Sequence, residues 1–204
     1  MITVLNYNKD YADKIVNLLI DLGFPAQGGM NESMLCGSQQ LIFPPSDEVG
    51  KVIKKIHLLN LYSMLRMVNK PVLGIGSGIE FMLEFAVEKK ESALCYFPEL
   101  SQKIGLEKIA IPPGNYPLKI QSTCSLLSGI DDGTQFHFEY ALKLEPGFEI
   151  VKASFFNEVY MPAVCKKENY QSVMFDILKS GDAGITVLKN FVQSCDKKIN
   201  SEVD

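Results

Sequence analysis

Residues 70–81 of this chain, Lys-Pro-Val-Leu-Gly-Ile-Gly-Ser-Gly-Ile-Glu-Phe, decide its fold. The first half of this stretch is a short apolar run after a proline, which is typical of a strand buried on both faces. Gly74, Gly76 and Gly78 then allow a sharp turn, and apolar residues at helical spacing follow. A buried strand that turns through glycines into a helix indicates an α/β protein with a parallel sheet.

The chain before this stretch repeats the alternation of strand and helix. Residues 2–5 predict a first strand, and Asn8 is a suitable cap for an amphipathic helix that ends at Gly23. Residues 41–43 predict a second buried strand, closed by two prolines, and residues 49–68 have the apolar pattern of one long helix. Residues 72–75, the apolar run before Gly76, then predict a further strand.

The second half has a different character. Short β-like runs at residues 135–144 and 148–156 follow a glycine-rich turn, and residues 184–195 predict a final helix. We therefore expect an α/β fold in three layers, with a mostly parallel central sheet, helices on both faces and a β-rich second half. We expect one domain over residues 1–195 and a polar tail over residues 196–204.

Composition excludes several classes of function. The 204 residues carry a net charge of -4 and no basic block, which argues against binding nucleic acid by charge. No apolar run reaches the roughly 18 residues of a membrane helix. Five scattered cysteines without a CxxC pair indicate free thiols in a reducing cytoplasm, with no metal site or cofactor. The chain has only two histidines, His57 and His137.

Four stretches in order, residues 2–8, 41–44, 70–80 and 179–184, resemble class I glutamine amidotransferases. The resemblance is to the glutaminase subunit of imidazole glycerol phosphate synthase, and it implies a flavodoxin-like α/β fold. In that family, a cysteine on the turn after a strand attacks the glutamine amide. A histidine takes the thiol proton, a glutamate orients the histidine, and backbone N–H groups stabilise the oxyanion. The ammonia passes to a barrel-shaped synthase partner.

The resemblance places Gly76 at the cysteine, Asp176 at the histidine and Leu178 at the glutamate. Glycine has no nucleophile, a carboxylate is a poor base for a thiol, and leucine accepts no hydrogen bond. The resemblance therefore implies a subunit without glutamine hydrolysis, retained as a binding or regulatory partner of a synthase-barrel-like protein. The alternative is an active glutaminase that supplies ammonia for histidine biosynthesis or for a sugar amidotransferase.

The resemblance also marks four positions of a substrate pocket. Pro45 and Ser46 lie in the loop that corresponds to the family's oxyanion loop, where Pro45 has no N–H to donate. Ser77 is an alternative nucleophile, although it has no evident base. Glu80 stands where the family has a glutamine that seats the substrate. It is either a contact for a small amine or an exposed helical glutamate.

Other interpretations remain open at three places. Residues 74–78 are either a phosphate-binding loop or a packing turn, and the absence of a Gly-Lys-Ser/Thr ending favours the turn. Asp176 is either the partner of a cation such as Lys179 or a solvated carboxylate. His137 precedes Phe138, which takes the place of a family histidine, so we expect its side chain on the opposite face of the strand.

Overall fold

A computed structural model of the chain describes residues 1–87, 91–101, 107–144, 147–157 and 159–200. Its α-helices are α1 (Lys9–Asp21), α2 (Glu32–Gly37), α3 (Val49–Leu58), α4 (Tyr62–Arg66), α5 (Pro98–Ser101) and α6 (Gly181–Asn200). Its strands are β1 (Ile2–Val4), β2 (Ala26–Gly28), β3 (Gln40–Phe43), β4 (Val72–Ile75), β5 (Glu107–Ile109), β6 (Gly114–Pro117), β7 (Lys119–Ile120), β8 (Gln135–Phe138), β9 (Ala141–Lys143), β10 (Val151–Asn157), β11 (Val159–Lys167) and β12 (Tyr170–Val173).

Within the described residues, eight strands form one sheet in the order β2-β1-β3-β4-β12-β11-β10-β7. The strands from β2 to β12 pair in parallel, whereas β11, β10 and β7 are added antiparallel. Two short antiparallel ribbons, β5 with β9 and β6 with β8, lie outside this sheet. The predicted α/β fold with a mostly parallel sheet and a β-rich second half is confirmed.

The central strands are covered on both faces. Every residue of β3 and β4 is buried, and successive side chains of a strand point to opposite faces of the sheet. Helix α1 packs beside β1 and β2, while Gln40 Nε2 at the start of β3 donates to the Val192 carbonyl of α6 over 2.9 Å. Strands of this kind need the continuous apolar runs that the sequence shows.

The predicted start and end of α1 are confirmed. The Asn8 side chain accepts a hydrogen bond from Tyr11 N at 3.4 Å and so caps the first turn. Gly23 follows the helix with φ +86°, a left-handed conformation that glycine adopts without a steric penalty.

The prediction of one helix over residues 49–68 is wrong. The segment forms α3 and α4, and the chain turns between them at Asn60, whose φ is +56°. Apolar residues continue at helical spacing across the break, and Leu61 is buried beside it. Because periodicity reports only which side chains are buried, it contains no sign of one left-handed residue.

The predicted helix after the glycine turn is a 3₁₀ helix, Gly76–Met82, and it ends before Phe85, which forms an isolated bridge with Ser92. All seven residues of the 3₁₀ helix are buried. A segment that is buried on every side has no apolar stripe, so its sequence pattern does not distinguish one helical form from another.

Helix α6 is longer than predicted at both ends. It starts at Gly181 and continues to Asn200, so residues 196–200 of the expected tail are helical, and residues 201–204 lie outside the described residues. The sequence at this end of the helix is mostly polar and has no apolar periodicity that would predict a helix. The division into one domain and a tail stays a prediction.

The Lys-Ser-Gly-x-x-Gly stretch at the start of α6 docks this helix onto the loop before it. A Cβ at Gly184 would lie 2.1 Å from the Ile177 carbonyl oxygen, so only glycine permits this approach. The Ser180 hydroxyl donates to the Asp176 carbonyl over 2.6 Å and accepts from His137 N at 3.0 Å. These contacts hold the backbone of Asp176 in place beside β8.

We expect Gly184→Ala to lower the free energy of unfolding by about 1–3 kcal/mol, because the added methyl group overlaps a backbone carbonyl. Gly37→Ala is the matched control, since a Cβ there meets no atom within 4 Å. Gly37 ends a helix, so alanine should leave the stability unchanged or raise it by up to about 1 kcal/mol. Urea unfolding measures both variants, and equal midpoints would contradict the close approach at residue 184.

Candidate active site

Gly76 forms a sharp turn at the carboxyl end of β4. Its φ is +55°, in the left-handed region, and a Cβ at this position would lie 3.3 Å from Pro45 Cβ. A residue other than glycine in this conformation costs roughly 1–2 kcal/mol. The position has the strained geometry of a nucleophile turn, and glycine relieves the strain.

Packing requires the glycine at residue 78 and leaves little room for a side chain at residue 74. A Cβ at Gly78 would lie 2.4 Å from the Phe43 carbonyl oxygen, and one at Gly74 would lie 2.7 Å from Met82 Sδ. Because the contact at Gly78 is with the Phe43 backbone, the 3₁₀ helix lies directly against the end of β3. They support the interpretation of residues 74–78 as a packing turn rather than a phosphate-binding loop.

A cleft of about 150 Å³ opens beside Gly76 at the carboxyl edge of the sheet. Its walls come from the loops that follow β3, β4 and β12, which are neighbouring parallel strands. Ligands of open α/β sheets bind at this edge. The lining residues are Pro45, Ser46, Asp47, Ile75, Gly76, Ser77, Lys108, Glu139, Tyr140, Met174 and Asp176.

Hydrogen bonds fix the loop after β3 from two directions. Tyr7 Oη donates to the Pro44 carbonyl over 2.5 Å, and Asn8 Nδ2 donates to the Pro45 carbonyl over 2.9 Å. On the other side, Ser77 Oγ accepts from Ser46 N and donates to the Ser46 carbonyl, each over 2.8 Å. The predicted pocket residues Pro45, Ser46 and Ser77 therefore lie together, with the Ser77 hydroxyl engaged by the loop.

Asp176 lines the cleft, where hydroxyl and backbone donors hold one of its carboxylate oxygens. Its Oδ1 accepts hydrogen bonds from Tyr11 Oη at 2.8 Å, from Leu178 N at 2.8 Å and from Lys179 N at 3.2 Å. Lys179 Nζ pairs instead with Glu139 Oε1 at 2.6 Å. Burial, followed by the Asp176 charge, raises the pKa of Tyr11, so this hydroxyl remains a donor to Asp176.

The interpretation of Glu80 as an exposed helical glutamate is wrong. The residue is only 3% exposed and lies in the 3₁₀ helix, where it lines a second cavity of about 130 Å³. Oε2 accepts from Val87 N at 3.0 Å, and Oε1 accepts from Tyr140 Oη at 3.1 Å. These donors compensate its burial, and Tyr140 comes from a distant part of the chain that no local pattern reveals.

Leu178 and His137 lie outside the lining of the cleft. Leu178 is partly buried against the core, and its N–H donates to Asp176. The expected orientation of His137 is confirmed, because Phe138 is fully buried while His137 remains partly exposed. His137 Nε2 lies 3.5 Å from Glu139 Oε1.

Lys108 and Glu139 line the cleft, although the sequence did not predict a role for either. Lys108 lies on β5 and Glu139 follows β8, and the pairing of β5 with β9 brings both regions to the cleft. A hydrogen bond from Lys179 lowers the pKa of Glu139, which favours its carboxylate form. No sequence motif marks either residue, because their position depends on strand pairing between distant segments.

The described residues that line the cleft do not include a cysteine nucleophile with a histidine base. Of the residues that line it in the described part of the chain, none is a cysteine or a histidine. Burial raises the pKa of Cys165 to about 12, and burial also raises the pKa of Cys95.

The described residues contain no group of three or more His, Cys, Asp or Glu side chains able to hold a metal ion. Nor do they contain a helix that is long and apolar enough to cross a membrane.

Solved structures with the same fold include a protein described as a glutamine amidotransferase. A protein of Thermoplasma acidophilum with a provisional assignment as a component of GMP synthase superposes with a TM-score of 0.72 at 15% identity, over 100% of this chain and 97% of the other. A structure described as a glutamine amidotransferase gives 0.69 at 14% identity, over 96% and 98%. The fold predicted from the resemblance is confirmed.

In sequence, the chain is similar to imidazole glycerol phosphate synthase subunit HisH. It is 29% identical to that subunit from Methanothermobacter thermautotrophicus, over 95% of this chain and 98% of the relative. It is 26% identical to HisH 2 of Legionella pneumophila strain Paris, over 94% and 97%. No protein-family model matches the chain. The resemblance inferred from the four stretches is confirmed along nearly the whole sequence.

The left-handed turn at residue 76 gives a test of the site geometry. We expect Gly76→Ala to lower the free energy of unfolding by about 1–2 kcal/mol, because alanine is strained at positive φ. Gly114→Ala is the control, since its Cβ meets nothing within 4 Å and its φ is not positive. Thermal or urea unfolding compares the two variants. An equal loss of unfolding free energy in both would contradict the left-handed turn at Gly76.

Proposed function

We propose that this chain is a glutamine amidotransferase-like subunit that does not hydrolyse glutamine and acts as a binding or regulatory partner of a synthase. The observation that carries the proposal is the lining of the cleft. Among the described residues around Gly76, there is no thiol to attack an amide and no imidazole to accept its proton. Acyl transfer of this class needs both groups within hydrogen-bond reach.

The positions that resemble the catalytic residues support this proposal. Gly76 has the turn geometry without a side chain, and Asp176 uses Oδ1 to accept two backbone N–H groups and the Tyr11 hydroxyl. Leu178 is partly buried and packs against the hydrophobic core. Ser77 is a poor substitute nucleophile, since its hydroxyl proton is donated to the Ser46 carbonyl rather than to a base.

The proposed partner is a synthase subunit with a barrel-like fold. Support comes from the relatives, whose names describe one subunit of a larger synthase, and from similarity over nearly their whole length. A binding or regulatory partner of this kind keeps its fold and its outer surface but does not hydrolyse glutamine. We further propose that the chain acts in the cytoplasm, because four of its cysteines, at positions 36, 95, 124 and 165, are free thiols.

The second candidate is an active glutaminase that supplies ammonia for histidine biosynthesis or for a sugar amidotransferase. Two observations favour it: the extended similarity to HisH subunits and the left-handed turn at Gly76. It requires a nucleophile that the cleft obtains from elsewhere, for example from a synthase partner. Ammonia release with and without that partner separates the two candidates.

We expect the purified chain to release no ammonia from glutamine above the background of buffer, alone or with a co-encoded barrel-type synthase. An active HisH subunit with its own synthase, assayed in parallel, shows that the conditions support turnover. Turnover by this chain that persists after repurification and disappears in Ser77→Ala would overturn the proposal and identify Ser77 as the nucleophile.

We also expect Gly76→Cys alone to remain inactive towards glutamine. A thiol at residue 76 would have no histidine in the cleft to take its proton, and losing one member of such a triad already reduces the rate by about 10⁴ or more. The measurement is ammonia release, after circular dichroism has shown that the variant is folded. Activity near that of an active HisH subunit would show that a base does reach residue 76.

A further inference from the structure

The corner between α3 and α4 exposes three large apolar side chains to solvent. Leu58 is 83% exposed, Leu59 is 45% exposed and Met67 is 82% exposed. Helix α3 starts directly after the loop that lines the cleft, and its ten residues lead the chain about 15 Å away from it. Helix α4 then leads into the amino end of β4. The corner therefore lies at the edge of the sheet opposite to the cleft.

The segment that forms this corner is positively charged, although the chain as a whole is negative. Residues 49–79 contain five Lys and Arg and no Asp or Glu, whereas the whole chain has 20 Lys and Arg against 24 Asp and Glu. Lys55 lies one helical turn before the two exposed leucines, and Arg66, the only arginine of the chain, directly precedes the exposed methionine. Both cations are exposed, and neither lies in a salt bridge within the part of the chain that the structure describes.

Tyrosine side chains hold the corner in one conformation. The Tyr62 ring at the start of α4 is stacked on His57 near the end of α3, with 4.0 Å between the ring centroids. The Tyr62 hydroxyl donates to the Ala93 carbonyl over 2.9 Å. Tyr96 and Tyr170 donate to two further carbonyls, one within α4 and one just after it. Because the corner is already ordered, a partner that binds there loses less free energy to ordering it.

We infer that this corner docks an acidic segment of another protein that also presents apolar side chains. The docking corner is defined as Lys55, Leu58, Leu59, Arg66 and Met67. Its apolar side chains contact those of the partner, and its two cations pair with carboxylates. Arginine and methionine are enriched in protein–protein interfaces, and arginine is also enriched among the residues that dominate their affinity. The inference goes beyond the proposed function, because the docking corner lies away from the cleft and an active glutaminase would present it equally.

Charge favours this partner over a second copy of the chain. A two-fold dimer through the docking corner would bring the same surface of two chains together, so that Lys55 and Arg66 would face like charges. A membrane surface is also a poorer match. Helices that bind membranes lay a wide apolar face with aromatic side chains into the interface, whereas α4 has only five residues and Tyr62 is turned towards Ala93.

A pair of synthetic peptides tests the preference. The probe is a fluorescent peptide with leucine and glutamate at helical spacing, and its control has lysine in place of each glutamate. We expect the full chain to bind the acidic peptide more tightly than the lysine peptide by about tenfold or more, as measured by fluorescence anisotropy, because like charges oppose association. Amide chemical shifts of the chain should change at the docking corner and not around Gly76.

Surface variants locate the binding. We expect Arg66→Glu and Leu58→Ser each to weaken binding of the acidic peptide by about fivefold or more, as is typical of residues that matter in an interface. Lys14→Glu and Ile20→Ser are the matched controls, since both residues are exposed on α1. Helix α1 joins β1 to β2, in the opposite direction across the sheet to the connection from β3 to β4, so right-handed crossovers place it on the other face. Circular dichroism shows whether each variant is folded.

Four results would overturn the inference: no measurable binding of the acidic peptide, equal affinity for the two peptides, or a loss in either control equal to that in its docking-corner counterpart, Arg66→Glu or Leu58→Ser. Sedimentation and flotation with phosphatidylcholine–phosphatidylserine vesicles test the other occupants. A dimer that Leu58→Ser dissociates, or vesicle binding in place of peptide binding, also overturns it. Ammonia release does not involve the docking corner, so the proposed function and this inference are able to fail separately.

Discussion

The carbonyl of Phe43 and the backbone of Gly78 lie so close together that no side chain fits at residue 78. This approach joins the end of β3 to the segment after β4, and the cleft exists because of it. Phe81 lies in the same segment and packs beside this contact. Its ring centroid is 5.8 Å from that of Phe43 and 5.0 Å from that of Tyr7. These contacts fix the segment after β4 against the end of β3 where the cleft opens, and Gly76 and Ser77 lie in that segment.

The contacts at this edge explain how the fold is compatible with the proposed absence of glutamine hydrolysis. The close approach, the aromatic packing and the docking of α6 onto Ile177 are contacts of the backbone and the core. None of them needs a thiol or an imidazole in the cleft. Glycine at residue 76 avoids the strain that a side chain would impose at this φ, so stability favours glycine there, as the proposed subunit without a nucleophile has.

Three carboxylates around the two cavities have structural partners. Asp176 Oδ1 accepts from two backbone N–H groups and from Tyr11, Glu139 pairs with Lys179, and Glu80 accepts from Tyr140 and from a backbone N–H. Each of these three carboxylates has a donor where it lies, and for Glu80, which is buried, the donors compensate the loss of solvent. Groups that satisfy one another in this way stabilise the walls of a pocket, whereas a catalytic group usually keeps part of its bonding capacity for the substrate.

The sequence by itself determined the parallel α/β core, the turn at Gly76 and the absence of a side chain there, because buried strands, glycine turns and residue identities are local properties. It determined neither the break at Asn60 nor the burial of Glu80, and it contained no sign that Lys108 and Glu139 reach the cleft. The tertiary structure decided these features: Asn60 takes a left-handed conformation, Glu80 accepts from Tyr140 far along the chain, and strand pairing brings Lys108 and Glu139 to the cleft. Periodicity records which side chains are buried, but not the partners that they meet.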